Sequence, residues 1–439
     1  MNLFLKRDFM KKNDIIKLEC IDISFKGYGI CKVDNFVIFV KDMLIGEIGN
    51  IKIISLKKNY GFGIIDNLIK TSVYRIEPRC KLSYKCGGCD YQYITYKHQL
   101  HLKKKIVDDY LKNTELDIRV DNIIGSDNDY GYRNKVQIPV IDNKFGFYRK
   151  HSNDIVSCNY CYLQTELENK IFNKAKELIL RFNIGPYVRH ILIKHSSLNE
   201  VMLCFIVTSF SLNGLKEITE ELTDEFKEIK SLMLNLNNSN SNVILGTEEK
   251  VLYGNDYIYD EFLDIKVKIS LKSFYQVNHD QMIKLYSIAL NKAELNKDMN
   301  VLDLYCGIGT IGLYASKFVG KVTGVEVIPE AIENAKENAK LNNINNIEFY
   351  CDDAYNIDKY IKDKDLVIVD PPRKGLDERV IISLINNSPD KILYISCNYE
   401  TMVRDLLHLK DMYDISDVTL VDMFPNTRHI ESIVLLYKK

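Results

Sequence analysis

The sequence predicts an α/β protein with a small N-terminal OB-like β-barrel, a mostly β central domain and a C-terminal Rossmann-like domain. Two observations support this prediction. Short β-forming runs separated by turn residues fill the first part of the chain, whereas strand and helix patterns alternate in the last part. A length of 439 residues suits about three domains at ~150 residues each. We therefore predict an N-terminal extension at 1–14, the barrel at 15–75, the central domain at 76–270 and the Rossmann-like domain at 271–439.

The barrel is predicted from five short runs that are rich in Ile, Val and Phe. Glycines and the pair Asp34-Asn35 punctuate these runs, as expected for turns between strands. Five short strands in one compact stretch favour a closed barrel of the OB type, and Pro78 ends it. The runs are Ile15–Ile23, Tyr28–Val33, Asn35–Val40, Gly49–Ser55 and Gly61–Asn67.

The central domain is predicted to contain a helix at Tyr96–Leu111 and then mostly β structure. Two further helices, Thr165–Phe182 and Leu212–Phe226, interrupt the strands, and the Asn- and Ser-rich stretch Asn235–Asn242 is predicted to be a loop. The first helix is predicted to present a basic face, formed by Lys97, His98, His101, Lys103, Lys104 and Lys105.

The last part of the chain alternates between buried strands and helices. This rhythm predicts a mainly parallel sheet that helices cover on both faces. The predicted helices include Pro329–Asn342 and Asp377–Asn387. The predicted strands are Asn300–Tyr305, Lys321–Glu326, Asn346–Cys351, Leu366–Asp370 and Lys391–Ser396.

Composition and charge limit the class of protein. With 46% hydrophobic and 27% charged residues, the chain is ordinary for a soluble globular protein. Lys6, Arg7, Lys11 and Lys12 interrupt any N-terminal signal peptide, and no stretch approaches the ~18 apolar residues of a membrane span. We therefore predict a cytoplasmic protein. Residues 1–120 carry 22 Lys and Arg against 14 Asp and Glu, so this end either binds a polyanion or has a solvated lysine-rich surface.

A glycine-rich turn predicts a nucleoside cofactor site in the Rossmann-like domain. Gly307, Gly309 and Gly312 follow a buried strand and open a helix, so the backbone can pass close to a ligand. Glu326 ends the next strand, where Rossmann-like folds place the carboxylate that accepts ribose hydroxyls. Asp353 follows the strand after that and fits the position that usually meets an adenine amino group.

Two more strand ends carry reactive side chains. Asp370 and Cys397 each follow a predicted strand, and in an open α/β sheet ligands bind beyond the carboxyl ends of the strands. A cysteine at a half-exposed site of this kind is a candidate nucleophile, because its thiolate is strongly nucleophilic. The alternative is an inert cysteine that serves only packing.

Four segments together resemble the RNA 5-methyluridine methyltransferase family. Ser396-Cys397-Asn398 is similar to the nucleophile motif of that family, and Asp422 through Glu431 is similar to its general-base motif. Ser273 through Asn278 resembles the segment whose Gln contacts the cofactor, and Tyr132 through Lys135 resembles one thought to meet RNA. The resemblance extends from about Lys17 to the C-terminus.

This resemblance implies S-adenosylmethionine as the methyl donor and RNA as the substrate. Two departures from the family pattern are Asn426, where many relatives carry His, and Thr310, where an Asn is common. The Thr is expected to weaken one cofactor hydrogen bond. The implied cofactor contacts are Gln276, Tyr305, Thr310, Glu326, Asp353 and Asp370.

The chemistry of uracil explains why such an enzyme needs a nucleophile. Carbon 5 is too weakly basic to attack a methyl sulfonium unaided, whereas thiolate addition at carbon 6 places electron density on carbon 5. A base must then remove the carbon 5 proton so that the thiolate can leave. We predict Cys397 as the nucleophile and Glu431 as the base, with His429 as the rival base. A salt bridge at a strand edge is the structural alternative for Glu431.

Three closely spaced cysteines predict a metal site in a reducing compartment. Cys80, Cys86 and Cys89 supply three thiolates, and either Cys158 or Cys161 supplies a fourth. Four cysteines suit zinc or a [4Fe–4S] cluster. The resemblance to the cluster-bearing branch of the family, with its His-x-x-x-Ile-Val run from His151, implies Cys161 and an iron–sulfur cluster, with zinc as the alternative.

The barrel resembles a TRAM domain, a small RNA-binding module. Together with the cysteines, it implies 23S rRNA as the substrate, with tRNA as the nearest alternative and no obligate protein partner. A non-catalytic RNA-binding protein is the rival from another class, but the presence of Cys397, Glu431, Asp370 and Glu326 argues against it. An adenine amino-methyltransferase would need an aromatic residue after the two prolines, where this chain has Arg373.

Overall fold

The computed structural model of the chain describes residues 10–150, 152–239 and 241–439. Residues 1–9 of the predicted extension, His151 of the run before Cys161, and one position of the predicted loop lie outside the described residues. The described chain divides into two compact units: residues 10–81, 89–120 and 425–428 belong to the first, and the remaining described residues to the second. The three-domain division stays a prediction.

The first unit contains the predicted barrel. Its described strands close in the order β1-β2-β3-β5-β4, with β3 and β5 parallel and the other pairs antiparallel. Gly61 and Gly63 of β5 face the interior, where added Cβ atoms would lie 2.9 and 2.4 Å from Ile38 and Ile51. The barrel prediction is confirmed. The strands are β1 (Ile15–Ile23), β2 (Gly29–Val33), β3 (Phe36–Val40), β4 (Ile48–Leu56) and β5 (Tyr60–Lys70).

The first unit also contains the predicted basic helix, α1 (Tyr96–Lys112). Its apolar residues, such as Leu102 and Val107, are buried, so the helix packs through an amphipathic face. Lys105 of α1 forms an ion pair with Asp22 of β1 at 2.8 Å. Lys103 is only 2% exposed, so the structure corrects its assignment to the basic surface.

The second unit begins with a sheet whose described strands run in the order β13-β12-β11-β10-β7-β8-β9. Helices α2 (Glu166–Arg181) and α3 (Leu215–Glu225) contribute to the core against this sheet, and a capping box of Thr165 and Glu168 starts α2. A short 3₁₀ helix spans Gly185–Tyr187. Strand β6 (Val120–Ile124) precedes this sheet in the chain and belongs to the mixed sheet described below. The strands of the seven-stranded sheet are β7 (Lys135–Ile141), β8 (Lys144–Tyr148), β9 (Ile155–Ser157), β10 (Val188–His195), β11 (Val201–Val207), β12 (Ile229–Leu236) and β13 (Glu248–Gly254).

The predicted Asn- and Ser-rich loop starts later than the sequence suggested. Strand β12 extends to Leu236, because the buried side chain of Asn235 binds the backbone of Gly246. Its Nδ2 donates to the Gly246 carbonyl at 3.1 Å, and its Oδ1 accepts from the Gly246 N–H at 2.7 Å. A polar residue thus stays inside a strand because its amide is satisfied there.

The C-terminal part of the second unit is a mixed sheet with helices between its strands. The order in the described chain is β18-β17-β16-β19-β20-β23-β22-β6, with β21 paired to β23, and a hairpin of β14 and β15 precedes it. The strands are β14 (Tyr257–Phe262), β15 (Ile265–Ser270), β16 (Asn300–Leu304), β17 (Lys321–Glu326), β18 (Ile347–Cys351), β19 (Leu366–Val369), β20 (Lys391–Ser396), β21 (Tyr413–Ile415), β22 (Val418–Val421) and β23 (Glu431–Lys438). The helices are α4 (His279–Lys292), α5 (Thr310–Ala315), α6 (Pro329–Leu341), α7 (Glu378–Asn387) and α8 (Tyr399–Leu409), with a 3₁₀ helix at Ala354–Lys359.

The run of strands β16 to β20 confirms the predicted α/β class. These strands pair in parallel, and β19 is buried along its whole length, as a sheet covered on both faces requires. Strand β23 runs antiparallel beside β20. None of the helices in the described part of the chain is long and apolar enough to cross a membrane.

Candidate active site

Three neighbouring parallel strands end at one edge of the sheet, and a predicted site residue follows each of them. Tyr305 follows β16, Asp370 follows β19 and Cys397 follows β20. Strand β19 lies between β16 and β20 and is parallel to both. Because the carboxyl ends of neighbouring parallel strands lie at the same edge, these side chains enter one region.

The glycine-rich turn has a backbone that favours glycine. Gly307 and Gly309 have φ angles of 55° and 85°, and Tyr305 has a φ of 67°, so the chain turns through the left-handed region here. A Cβ at Gly309 would lie 2.7 Å from the ring of Phe349. Thr310, the first residue of α5, is 8% exposed. The turn therefore has a fixed shape at the strand end.

The predicted ribose and adenine carboxylates lie at the next two strand ends. Glu326 ends β17, and its Oε2 accepts the Gly307 N–H at 3.2 Å while its Oε1 accepts the Ile328 N–H at 3.0 Å. Asp353 follows β18 and caps the 3₁₀ helix, accepting the Tyr355 N–H at 3.0 Å. Both carboxylates therefore have defined positions on the side of the sheet that carries the glycine turn.

Asp303, inside β16, braces the glycine turn. It is 1% exposed, and its Oδ2 accepts the Gly312 N–H at 2.9 Å. Burial raises the pKa of Asp303 to about 7, and the nearby Asp370 and Glu326 carboxyls add to this rise. Asp303 was not among the predicted site residues, although its place in the strand before a glycine turn was a signal that sequence reasoning could have used.

Sheet register brings the predicted nucleophile and base together. Ser396 at the end of β20 lies opposite Ser432 in the antiparallel strand β23. One further step in this register sets Cys397 against Glu431, the first residue of β23. Cys397 is half-buried, and Glu431 is 2% exposed. Two residues that are distant in sequence therefore meet at the sheet edge.

The electrostatics of this pair favour its neutral forms. Burial, together with the nearby Glu431 and Asp370 carboxyls, raises the pKa of the Cys397 thiol to about 11, although Arg373 opposes this rise. Burial also raises the pKa of Glu431 well above its ordinary value, and that of Asp370 to about 7. Burial thus disfavours the thiolate of Cys397 and the carboxylate of Glu431.

Arg373, which the sequence analysis gave no positive role, is held beside the pair by α8. Its carbonyl accepts from Asn398 Nδ2 at 3.0 Å and from the Thr401 hydroxyl at 3.3 Å. The buried Asp405 then accepts the Leu376 N–H at 2.7 Å, which fixes the far end of the same loop. These contacts depend on tertiary structure, and only the basic side chain itself could have been noticed in the sequence.

The segment with the predicted cofactor Gln lies at the same site. Gln276 is 6% exposed, and Asn278 Nδ2 donates to the Met423 carbonyl at 3.3 Å. The buried Tyr286 of α4 is near Gln276, Asp370 and Glu431. Burial and the two carboxyls raise the pKa of its hydroxyl well above the ordinary value, although a hydrogen bond with the Gln276 side chain opposes this rise. Sequence reasoning missed Tyr286, because a Tyr on a helix has no distinguishing pattern.

Known proteins share both this sequence pattern and this fold. The pattern of the tRNA (Uracil-5-)-methyltransferase family matches residues 95–439. The chain belongs to this family. It is 40% identical over 97% of both chains to a Bacillus cereus protein, and 38% identical over 98% of this chain and 99% of the other to a Staphylococcus aureus protein. Each of these relatives is described as an uncharacterized RNA methyltransferase.

A solved structure supports the same relationship. The crystal structure of the tRNA (uracil-54, C5)-methyltransferase from Pyrococcus abyssi, in complex with S-adenosyl-L-homocysteine, is similar with a TM-score of 0.78 and 26% identity. The match covers 96% of this chain and 100% of that one. As a uracil-5-methyltransferase family member, the chain is an RNA methyltransferase that uses S-adenosylmethionine.

One family departure has a structural explanation within the first unit. Asn426, one of the two departures expected from the resemblance, is 1% exposed and has a φ of 65°. Its N–H donates to Gln99 Oε1 at 2.9 Å, and its Oδ1 accepts from Gln99 Nε2 at 3.1 Å. The amide of Asn426 therefore joins its short segment to α1.

Two of the predicted metal ligands, Cys80 and Cys89, belong to the first unit, and the other two, Cys86 and Cys161, belong to the second. In the first unit, Gln92 accepts the Cys80 N–H at 3.0 Å and donates to Cys89 Sγ at 3.1 Å. In the second, burial raises the pKa of Cys161 to about 11, and Cys86 adds to that rise. No group of three or more Cys, His, Asp or Glu side chains in the described chain is arranged to hold a metal ion. The rival ligand, Cys158, is buried.

Proposed function

We propose that this methyltransferase adds a methyl group to carbon 5 of a uridine in RNA, with Cys397 as the nucleophile and Glu431 as the base. The observation that supports this best is the register of β20 and β23, which sets the thiol and the carboxyl side by side at the edge where the glycine turn lies. Burial raises the pKa of the Glu431 carboxyl well above its ordinary value, which disfavours a role as a charged salt-bridge partner.

The residues at the sheet edge fit the methyl donor. A Cβ at Gly307 would meet no described atom within 4 Å, so the turn faces a space that a ligand can fill. Glu326 and Asp353 suit the ribose hydroxyls and the adenine amino group, and Gln276, Tyr305, Thr310 and Asp370 complete the proposed contacts. When bound, S-adenosylmethionine supplies an electrophilic methyl group on a cationic sulfur.

Each step then follows from the side chains present. Cys397 loses its proton to solvent, and its sulfur bonds to carbon 6 while the C5–C6 π electrons form an enolate. Carbon 5 takes the methyl group, and the methyl–sulfur bond breaks onto the departing S-adenosylhomocysteine. Glu431, in its ionised form, removes the carbon 5 proton. The electrons of that C–H bond re-form the C5–C6 double bond, and the Cys397 thiolate leaves.

The electrostatics favour an ordered reaction. Burial disfavours the charged forms of the Cys397 thiol and the Glu431 carboxyl in the free protein and so raises both pKa values. The Arg373 side chain lowers both pKa values, and a sulfonium cation bound close to the pair would act in the same direction. We infer that the reactive thiolate forms after the methyl donor binds.

Transfer assays test the proposed function. The purified protein is incubated with labelled S-adenosylmethionine and RNA, and 5-methyluridine is measured by nucleoside mass spectrometry. Cys397→Ala should abolish the product while cofactor binding stays nearly intact. The control Cys351→Ala removes an exposed thiol that has no part in the proposed reaction. Full turnover by Cys397→Ala would exclude covalent catalysis by this residue.

We propose 23S rRNA as the substrate, with tRNA as the second candidate. The surplus of Lys and Arg in residues 1–120 and the N-terminal barrel support a large polyanionic substrate. The similarity to a tRNA (uracil-54, C5)-methyltransferase favours tRNA. Mapping 5-methyluridine in total RNA from cells with and without the gene decides between them, because the modification disappears from only the true target.

We also propose that Cys80, Cys86, Cys89 and Cys161 hold a [4Fe–4S] cluster, with zinc as the alternative. The support is the chemistry of four thiols, since such a set suits either metal site. No step of methyl transfer passes through this group. Anaerobically purified protein should be brown with about four iron per chain. Cys161→Ser should lose the colour and Cys158→Ser should keep it, whereas a colourless protein with one zinc would refute the cluster.

A further inference from the structure

A lysine is buried in the middle of the seven-stranded sheet of the second unit. Lys194 on β10 is 4% exposed, and burial lowers its pKa well below the ordinary value. Its Nζ donates to the Ser270 carbonyl at 2.7 Å and to the Ser273 carbonyl at 2.9 Å. Burying an amine is unfavourable unless its donors are satisfied, so these two bonds explain why an apolar residue does not fill the position.

Lys194 binds the turn that leads into the cofactor segment. In this turn the Ser270 N–H donates to Ser273 Oγ at 3.2 Å, and Asn334 Nδ2 donates to both serine hydroxyls at 2.9 Å. With the two Lys194 bonds, the turn is fixed on both its backbone and its side chains. Because Gln276 lies only three residues after Ser273, a fixed turn restricts the position of the Gln276 backbone.

A second residue holds the other side of the same segment. Asn134 Nδ2 donates to the Gln276 carbonyl at 3.0 Å, and the Asn134 N–H donates to the Val277 carbonyl at 2.9 Å. Asn134 immediately precedes β7, which pairs with β10 through Lys135 and Lys194. Both anchors therefore come from one pair of strands, and Gln276 lies between them.

We propose that Lys194 and Asn134 are positioning residues that hold Gln276 in the geometry needed to bind the methyl donor. This inference rests on the proposed cofactor role of Gln276. It also gives Asn134 a role on the cofactor side, although the motif Tyr132 to Lys135 was predicted to meet RNA. Both residues act through backbone carbonyls, so neither needs to touch the cofactor.

Binding of S-adenosylhomocysteine to the full-length protein, measured by calorimetry without RNA, tests the proposal. Lys194→Met and Asn134→Ala should each weaken binding roughly 10-fold, the effect of one or two lost hydrogen bonds. Lys250→Met, which changes an exposed lysine on β13, is the matched control and should bind as the wild type does. In turnover, the KM for S-adenosylmethionine should rise, while kcat and the KM for RNA stay unchanged.

A double-mutant cycle separates positioning from general destabilisation. In a Gln276→Ala background, either change should weaken binding less than 2-fold, because its effect passes through the missing side chain. Equal losses of S-adenosylhomocysteine affinity in the wild-type and Gln276→Ala backgrounds would overturn the proposal. So would an Asn134→Ala protein that loses affinity for RNA but not for S-adenosylhomocysteine. Asn134→Ala removes one side-chain hydrogen bond of a half-buried residue, so this variant still tests the proposal if Lys194→Met does not fold. Wild-type protein that binds no S-adenosylhomocysteine would instead refute the proposed function.

Discussion

The pH dependence of Cys397 alkylation is the sharpest test of the site electrostatics. With a pKa of about 11, this thiol is ionised in roughly one molecule in 10⁴ at pH 7. Between pH 8 and pH 10 its thiolate fraction should rise about 90-fold, whereas an ordinary thiol with a pKa of ~8.5 rises about 4-fold. The thiolate is the form that reacts with iodoacetamide, and Cys397 is half-buried, so the reagent can reach it.

The assay is pulsed alkylation followed by peptide mass spectrometry, which reads Cys397 separately from the other ten cysteines. Saturating S-adenosylmethionine, as a bound cation, should move the profile toward lower pH, whereas neutral S-adenosylhomocysteine should not. Arg373→Met should move it toward higher pH, because that guanidinium lowers the pKa of the thiol. A 4-fold rise between pH 8 and pH 10 in the free protein would refute the reasoning about burial.

Three further predictions concern the base and the turn. The Glu431→Gln protein should still add Cys397 to the uracil and methylate the ring, but it should fail to remove the carbon 5 proton and release the thiolate. A protein–RNA adduct that survives denaturation should therefore accumulate. If the adduct forms with His429→Ala and not with Glu431→Gln, His429 is the base. Since burial raises the folded pKa of Asp303 to about 7, wild-type stability should fall as pH rises from 4 to 7. Asp303→Asn should therefore raise the free energy of unfolding, measured by urea titration, by up to about 4 kcal/mol at pH 8 and by almost nothing at pH 4. Gly309→Ala should abolish cofactor binding, because the added Cβ would clash with the Phe349 ring. The control Gly46→Ala, which has a similar φ and open space around it, should only lower the melting temperature.

Local patterns predicted most of the elements. The runs Ile15–Ile23 and Lys391–Ser396 match β1 and β20 residue for residue, because short β-branched runs bounded by turn residues leave few alternatives. The prediction for Asn235 was wrong because polarity was read as a loop signal, whereas a buried partner satisfies the amide inside the strand. Burial of Lys103 likewise depends on packing that helix periodicity does not reveal.

Site residues that belong to a recognisable motif could be predicted from the sequence, whereas residues that act by binding backbone groups could not. Cys397 and the glycine turn stand at strand ends, so their placement follows from sheet geometry alone. Lys194 and Asn134 bind backbone carbonyls of residues that are distant in sequence. Since every residue has a backbone carbonyl, no sequence pattern identifies such a contact. Arg373 was visible as a residue, but the α8 contacts that fix its loop depend on a fold that no local pattern encodes.

The direction of one strand explains how a late residue reaches the nucleophile. A parallel strand beside β20 would bring only its carboxyl end to the site, so its first residue would lie at the opposite edge. Strand β23 runs antiparallel to β20, and its first residue, Glu431, therefore lies at the edge where β20 ends. A carboxyl that begins a buried strand is both fixed and shielded from water, and this burial raises its pKa well above the ordinary value and makes its carboxylate a stronger base. The topology thus supplies the position of the base and also the burial that strengthens it.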